Sequence, residues 1–419
     1  MGVVAEHRRV VTARTAAIVG AGPAGLMAAE TLAKAGARVT IYERMPSPAR
    51  KFLMAGRGGL NLTHGEPIDT FRRRYNGNTA CVLAALDDFP PKDLIAWAHG
   101  LGHETFAGSS GRVFPKTMKA SPLLRAWLTR LAGLGVELKT RHTWTGFDAD
   151  GGLTFVDSTG APLVVRSDAA LLALGGASWP KLGADGSWVP VLERAGVSVA
   201  ALTPSNCGVL VTWSNHMREK FAGAPLKRVA VTCGDARARG ELIITATGLE
   251  GGAIYALGPA IRAALAKNVP TRLTIDLKPD TTDTHLAARF ATVRAGQSLS
   301  NTLRKAAALD PAAIALARET PLPSAPDDLA RHLKSVPVTV NGLAGMARAI
   351  STAGGITAEA INETLMLRAR PGVFAAGEML DWDAPTGGYL LQACFATGVA
   401  AAHGVLHWLE GGEKPGQSP

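Results

Sequence analysis

The chain opens with short apolar runs set between glycine-marked turns. Ala16-Ala17-Ile18-Val19 is an unbroken apolar run, the pattern of a strand buried on both faces of a parallel sheet. After a glycine-rich turn, Leu26, Ala29, Leu32 and Ala33 recur at helical spacing, and Gly36 stands where such a helix would end. A second strand, Arg38 to Tyr42, ends on Glu43. Farther along, Ser121 to Leu134 is periodic like a helix, while Val136 to His142 and Ala169 to Gly176 read as strands. Near the other end, Val373 to Ala376 reads as a strand, and an apolar helix runs from Tyr389 toward Trp408.

The middle of the chain has a different texture. Val209–Trp213, Lys227–Cys233 and Glu241–Thr245 alternate like antiparallel strands, with helical stretches around Ala253–Ala266 and Leu286–Leu316. Pro321-Leu322-Pro323-Ser324-Ala325-Pro326 makes a linker-like break. At 419 residues the chain exceeds what one hydrophobic core supports. The expected division is 1–203, 204–345 and 346–419, with the first and last parts forming one α/β domain and the middle inserted into it.

The first glycine turn carries chemistry. Gly20-Ala21-Gly22-Pro23-Ala24-Gly25 matches G-x-G-x-x-G between a strand and a helix. Gly20 makes the tight turn, Gly22 lets the backbone approach a pyrophosphate, and Gly25 allows helix to pack closely on strand. The helix start, at Pro23 and Ala24, offers amide donors and partial positive charge. Glu43 lies 18 residues beyond Gly25, where a carboxylate accepts hydrogen bonds from the adenosine ribose. It also disfavours a 2′-phosphate, and Arg44 lies beside it. These residues predict a dinucleotide and leave FAD and NAD both open.

A second segment reads Arg50-Lys51-Phe52-Leu53-Met54-Ala55-Gly56-Arg57-Gly58-Gly59-Leu60-Asn61-Leu62-Thr63. Its glycines and cations suggest an extended loop passing close to an anionic ligand. A third reads Pro371 to Glu378, then Asp381, then Pro385-Thr386-Gly387-Gly388-Tyr389-Leu390-Leu391-Gln392. Together they resemble the BaiN/YhiN-like bacterial NAD(P)/FAD-dependent oxidoreductases, a family that includes an aminoacetone-oxidase branch. The departures are Ala49 for glycine, Leu60 for cysteine, Leu174 for threonine and Leu390 for asparagine.

The resemblance implies a discontinuous Rossmann-like FAD-binding domain of the two-dinucleotide-fold type, with an inserted strand-plus-helix domain. It implies cofactor contacts from Lys51, from Gly56, Arg57, Gly58, Gly59, Leu60 and Asn61, and from Gly377 and Glu378 at the ribityl chain. Gly387, Gly388 and Tyr389 would bring a helix start to the flavin O2/N1 edge, where its dipole raises the reduction potential. Leu60 removes the thiol that the family pattern places beside the flavin. The implied activity is hydride transfer through flavin N5 between a small molecule and NAD(P)H or another acceptor. NAD(P)H would dock transiently, because the chain holds no second G-x-G-x-x-G. An oxygen-using amine oxidase and a non-catalytic flavin-binding module are the alternatives. No catalytic acid or base is assigned.

Composition adds little beyond this. The formal charge is +10, but the cations are dispersed, and Arg112, Lys116 and Lys119 suit an anionic substrate or a structural role equally. No nucleic-acid or membrane partner is expected, and the oligomeric state is open. The four cysteines, Cys81, Cys207, Cys233 and Cys394, have neither disulfide nor metal spacing. That favours a reducing cytoplasm and no metal. Arg8-Arg9 before an apolar stretch mimics a twin-arginine export signal, yet Glu30, Lys34 and the glycines interrupt that stretch.

Overall fold

The computed structural model describes residues 14–77, 79–267, 271–293 and 296–411, so Arg8-Arg9 lies outside the described residues. The chain divides into two compact units, one built from residues up to Leu202 and from Ala353 onward, the other from Thr203–Thr352.

The first unit is organised by a parallel sheet of β1 (Thr15–Val19), β2 (Arg38–Glu43), β6 (Glu137–Thr140), β7 (Ala169–Leu172) and β8 (Val373–Ala375). The order is β8-β7-β1-β2-β6, so the last strand in sequence closes one edge. Ile18 pairs with Leu171 on one side and Ile41 on the other, which accounts for a run that is apolar on both faces. Helix α1 (Pro23–Lys34) links β1 to β2 and packs against α4 (Tyr389–Leu409). By length and composition α4 could cross a membrane, yet 67% of its most apolar window is buried within the protein.

Glu30 and Lys34 have a structural use. The Glu30 carboxylate is buried and accepts hydrogen bonds from Trp97 Nε1 (3.0 Å), Trp127 Nε1 (2.7 Å), Arg130 Nη1 (3.0 Å) and Lys34 Nζ (2.6 Å). It ties α1 to α3 (Ala120–Gly133) and to the helix Pro91–Gly100. Burial raises its pKa, but the hydrogen bonds from Lys34, Trp97 and Arg130 outweigh that and hold the carboxyl below its ordinary value.

The segment expected to be an extended loop from Arg50 begins as a helix, α2 (Arg50–Ala55), and turns only at Gly56. Four helix-tolerant residues, Phe52 to Ala55, precede the first glycine, and Phe52 buries its ring in the core. Ala49 caps this helix at φ 54°, a left-handed conformation suited to the glycine it replaces. Beyond it, β3 (Thr63–His64), β4 (Thr105–Ala107) and β5 (Arg112–Pro115) form a small antiparallel sheet in the order β3-β5-β4.

The second unit is built on a seven-stranded antiparallel sheet, whose strands include Pro225–Cys233, Ala236–Thr245, Thr271–Asp276 and Val336–Val340. The helical stretch Leu286–Leu316 is three helices, Asp283–Ala291, Leu299–Ala306 and Pro311–Ala317. Ser298 and Asp310 cap the second and third by accepting from Asn301 and Ala313 amides, which restarts the helix each time.

Candidate cofactor site

A groove runs along the C-terminal ends of the parallel strands, wholly within the first unit. Both ends of the chain line it: Gly20, Gly22, Pro23 and Ala24 from the first turn, Glu43, Arg44 and Lys51 after it, and Gly377, Glu378 and Cys394 from the far end. Ligands of open α/β sheets settle at this end of the strands.

The three glycines of the turn do different work. Gly20 has φ 104°, and a Cβ there would lie 2.3 Å from the Ala173 carbonyl oxygen. A Cβ on Gly25 would lie 2.0 Å from Gly20 O, so α1 could not seat on β1. Gly22 is different, because a Cβ would meet no atom of the described residues within 4 Å. Its missing side chain leaves room in the groove and nowhere else. No side chain caps α1, so the first amides of the helix have no side-chain acceptor.

Glu43 turns out to have a second role. Its Oε2 accepts from Ala21 N at 2.9 Å and its Oε1 from Met45 N at 2.8 Å, fixing the backbone on both sides of the groove. Each oxygen retains a lone pair for a ribose hydroxyl. Arg44 pairs with Asp185 at 2.8 Å, and Lys51 Nζ donates to Glu378 Oε2 at 2.6 Å and to Ser178 Oγ at 2.5 Å.

The residues present fit a dinucleotide. Arg44 Nε, Arg50 Nε and Trp144 Nε1 belong to groove-lining residues, and each is buried with no hydrogen-bond partner among the described residues. Leaving a buried donor unsatisfied costs about 1–3 kcal/mol, and phosphate, ribityl and adenine acceptors are the complement of such donors. Asn61 Oδ1 is also buried and unpartnered, an acceptor facing the opposite need.

Not every expected residue lines the groove. Gly56–Asn61 and Gly387–Tyr389 lie outside its lining and come together around β3. A Cβ on Gly388 would lie 2.6 Å from the Thr63 backbone, and the Leu60 side chain is wholly buried, so only its backbone could reach a ligand. Arg57 and Gly58 are exposed. Tyr389 donates to Glu66 Oε1 at 2.6 Å, and Arg74 Nη2 holds Glu66 at 2.8 Å. Burial and the hydrogen bond to Glu66 push the Tyr389 phenol up, so it remains protonated. Trp144, Trp188 and Asp185 line the groove without having been expected, since no motif marks them and only the fold folds them over it. Cys394 is the one thiol in the lining, and burial pushes it up to about 12.

A parallel dinucleotide sheet completed by its own C-terminal strand, with a groove lined from both chain ends, defines a Rossmann-type dinucleotide-binding protein. Residues 14–404 match the family described as HI0933-like protein Rossmann domain, and the chain belongs to that family. It is an FAD-dependent oxidoreductase. Two relatives align along nearly the whole chain. A 3-dehydro-bile acid delta(4,6)-reductase of Clostridium scindens is 26% identical over 414 residues, covering 92% of this chain and 97% of the relative. A ribosomal RNA dihydrouridine synthase of Escherichia coli is 26% identical over 412 residues, covering 93% and 98%. The structure of 3-ketosteroid delta1-dehydrogenase from Sterolibacterium denitrificans matches at TM-score 0.50 with 11% identity, covering 94% of this chain and 99% of that one, a likeness of fold.

Proposed function

We propose that the protein reduces a carbon–carbon double bond conjugated to a carbonyl in a small molecule, with NAD(P)H as the transient electron donor. When bound, FAD supplies the two-electron hydride chemistry. The groove supports the cofactor part of the reading, since both chain ends line it and its buried donor atoms Arg44 Nε, Arg50 Nε and Trp144 Nε1 have no hydrogen-bond partner among the described residues; the reaction class is supported by the two relatives. Cys394 held near 12 is no thiolate at neutral pH, and Leu60 puts a hydrocarbon where the family pattern has a thiol. FAD held here would supply hydride to the alkene carbon β to the carbonyl, with the proton for the α carbon taken from solvent. Neither Cys394 nor Leu60 offers a thiolate to relay it.

The substrate class draws on the two relatives. A Δ4,6-unsaturated 3-oxo bile acid and the uracil ring converted to dihydrouracil share one reactive unit, an alkene conjugated to a carbonyl. The protein's own residues bind, orient and exclude water; Glu43, Lys51 and Glu378 hold the nucleotide in place.

Steady-state assays test this. NAD(P)H should be consumed in stoichiometric amounts with a conjugated enone, leaving the saturated ketone. Hydrogen peroxide from an aminoketone, with no enone turnover, would instead make the protein an amine oxidase. Reduction of uridine in RNA alone would retain the chemistry and overturn the small-molecule substrate.

A further inference from the structure

Strand Pro225–Cys233 of the second unit is broken by a bulge. Leu226 stands opposite Leu242 and Val229 opposite Gly240, so Lys227 and Arg228 together face the single residue Glu241. Arg228 holds a left-handed backbone at φ 53°, a conformation that costs any residue with a Cβ. Ala308, which lines the same recess, is left-handed too, at φ 48°. Strain of this kind concentrates at ligand clamps and functional turns.

The recess gathers cations from separate segments. Lys227 and Arg228 come from the bulge, and Lys278 from the turn after strand Thr271–Asp276. Lys278 is partly buried, and its ammonium donates to Ala308 O at 3.3 Å. The acids nearby are committed to other groups. Asp276 pairs with Lys334 at 2.8 Å and Arg237 at 3.5 Å, Asp280 pairs with Arg239, and Asp310 accepts from the Ala313 amide at 2.8 Å. Glu241 lines an adjoining recess and not this one. No acid reaches Lys227, Arg228 or Lys278 at ion-pair distance among the described residues. Burial lowers the Lys278 pKa, Arg228 and Arg289 lower it further, and Asp310 and Asp280 offset them only in part. A partly buried ammonium crowded by guanidinium groups sets this recess apart from the dispersed cations of the surface.

We propose that this recess of the second unit is an anion site that takes the phosphoryl group of a phosphomonoester. All its residues belong to that unit. Arg228 offers a planar fork of donors, and Lys227 and Lys278 offer point charges, a set suited to a dianion with three free oxygens. Asp280 and Asp310 line the same recess and interrupt any continuous basic track, which favours a compact dianion over a nucleic-acid backbone. The site stands whatever bond the flavin reduces, so its test and that of the reaction are independent.

The test is calorimetric titration of the FAD-loaded protein, whose cofactor phosphate contacts are already filled, with phenyl phosphate at pH 8, where the monoester is a dianion. Phenyl phosphate should bind with a dissociation constant below about 1 mM, and phenyl methyl phosphate, a monoanionic diester, about 10-fold more weakly. Arg228→Gln and Lys278→Met should each weaken phenyl phosphate about 10-fold with FAD content unchanged. Arg228→Gly should lose binding equally yet melt no lower than wild type, because glycine takes the left-handed conformation freely. Should Lys278→Met fail to fold, the wild type and Arg228→Gly still decide. No binding by the wild type, binding retained in the Arg228 variants, or a marked melting loss in Arg228→Gly overturns the site. Tighter binding of a uridine oligonucleotide lacking a terminal phosphate would make the surface a phosphodiester track and overturn the monoester assignment.

Discussion

Gly22 and Gly25 are three residues apart in one motif, and adding a methyl group to each should have opposite consequences. At Gly25 the new Cβ would fall 2.0 Å from Gly20 O, a backbone atom that cannot swing aside. Relief requires α1 to move off β1, an overpacking of about 1–3 kcal/mol or more. At Gly22 the Cβ meets nothing within 4 Å, and the backbone (φ −83°, ψ −179°) is open to any residue. Alanine is a poorer helix cap than glycine, but it restricts the unfolded chain by about 0.4–1 kcal/mol, so the two effects nearly cancel. The apoprotein of Gly22→Ala should thus melt within about 3 °C of wild type. Its methyl group, however, would stand where the phosphate oxygens of a bound FAD are expected to approach the α1 amides. Losing one such charge-assisted contact, at about 1.5–3 kcal/mol, weakens FAD by roughly 10- to 100-fold. Apoprotein melting and flavin-fluorescence titration read the two quantities separately. Wild-type FAD affinity in Gly22→Ala, or a melting loss equal to that of Gly25→Ala, would refute the placement of the pyrophosphate.

Other predictions follow from single contacts. Glu378→Ala should weaken FAD roughly 10- to 100-fold, and Lys51→Met should do much the same, with the double variant well short of additive because the two side chains form one pair. Strict additivity in titrations would show that they act apart. Glu30→Gln should cost about 3–5 kcal/mol, or about 10 °C in melting temperature, since four donors lose their carboxylate. Because the folded pKa of Glu30 lies below its ordinary 4.5, its contribution is present above that value and lost as pH falls through the folded one. Stability of the Glu30→Gln variant should therefore fall less steeply than wild type in acid; identical acid limbs in denaturant titrations would contradict this. Ala49→Gly should stabilise by up to about 1 kcal/mol by relieving the left-handed φ of 54°. A lower urea midpoint would show the conformation to be unstrained.

Sequence patterns disclosed the parallel sheet because its strands are buried on both faces and its turns are marked by glycine. Gly20, Gly25 and Gly36 could be read individually, as each answers a local steric demand. The helix Arg50–Ala55 was hidden by the glycines after it, and its lysine reaches Glu378 across the fold, a contact no local spacing records. Glu30 looked like an interruption in an apolar run; only the fold brings Trp97, Trp127 and Arg130 to it.

If, as proposed, this groove holds FAD for hydride transfer to a conjugated alkene, reoxidation of the reduced flavin by such an alkene reads it directly. The FAD-loaded protein should be reduced anaerobically, then mixed with a conjugated enone while absorbance of the oxidised flavin is followed near 450 nm. The oxidised band should return at a rate set by enone concentration, with one saturated ketone formed per flavin. A flavin that stays reduced with every conjugated carbonyl, yet reoxidises on admitting oxygen, would contradict it.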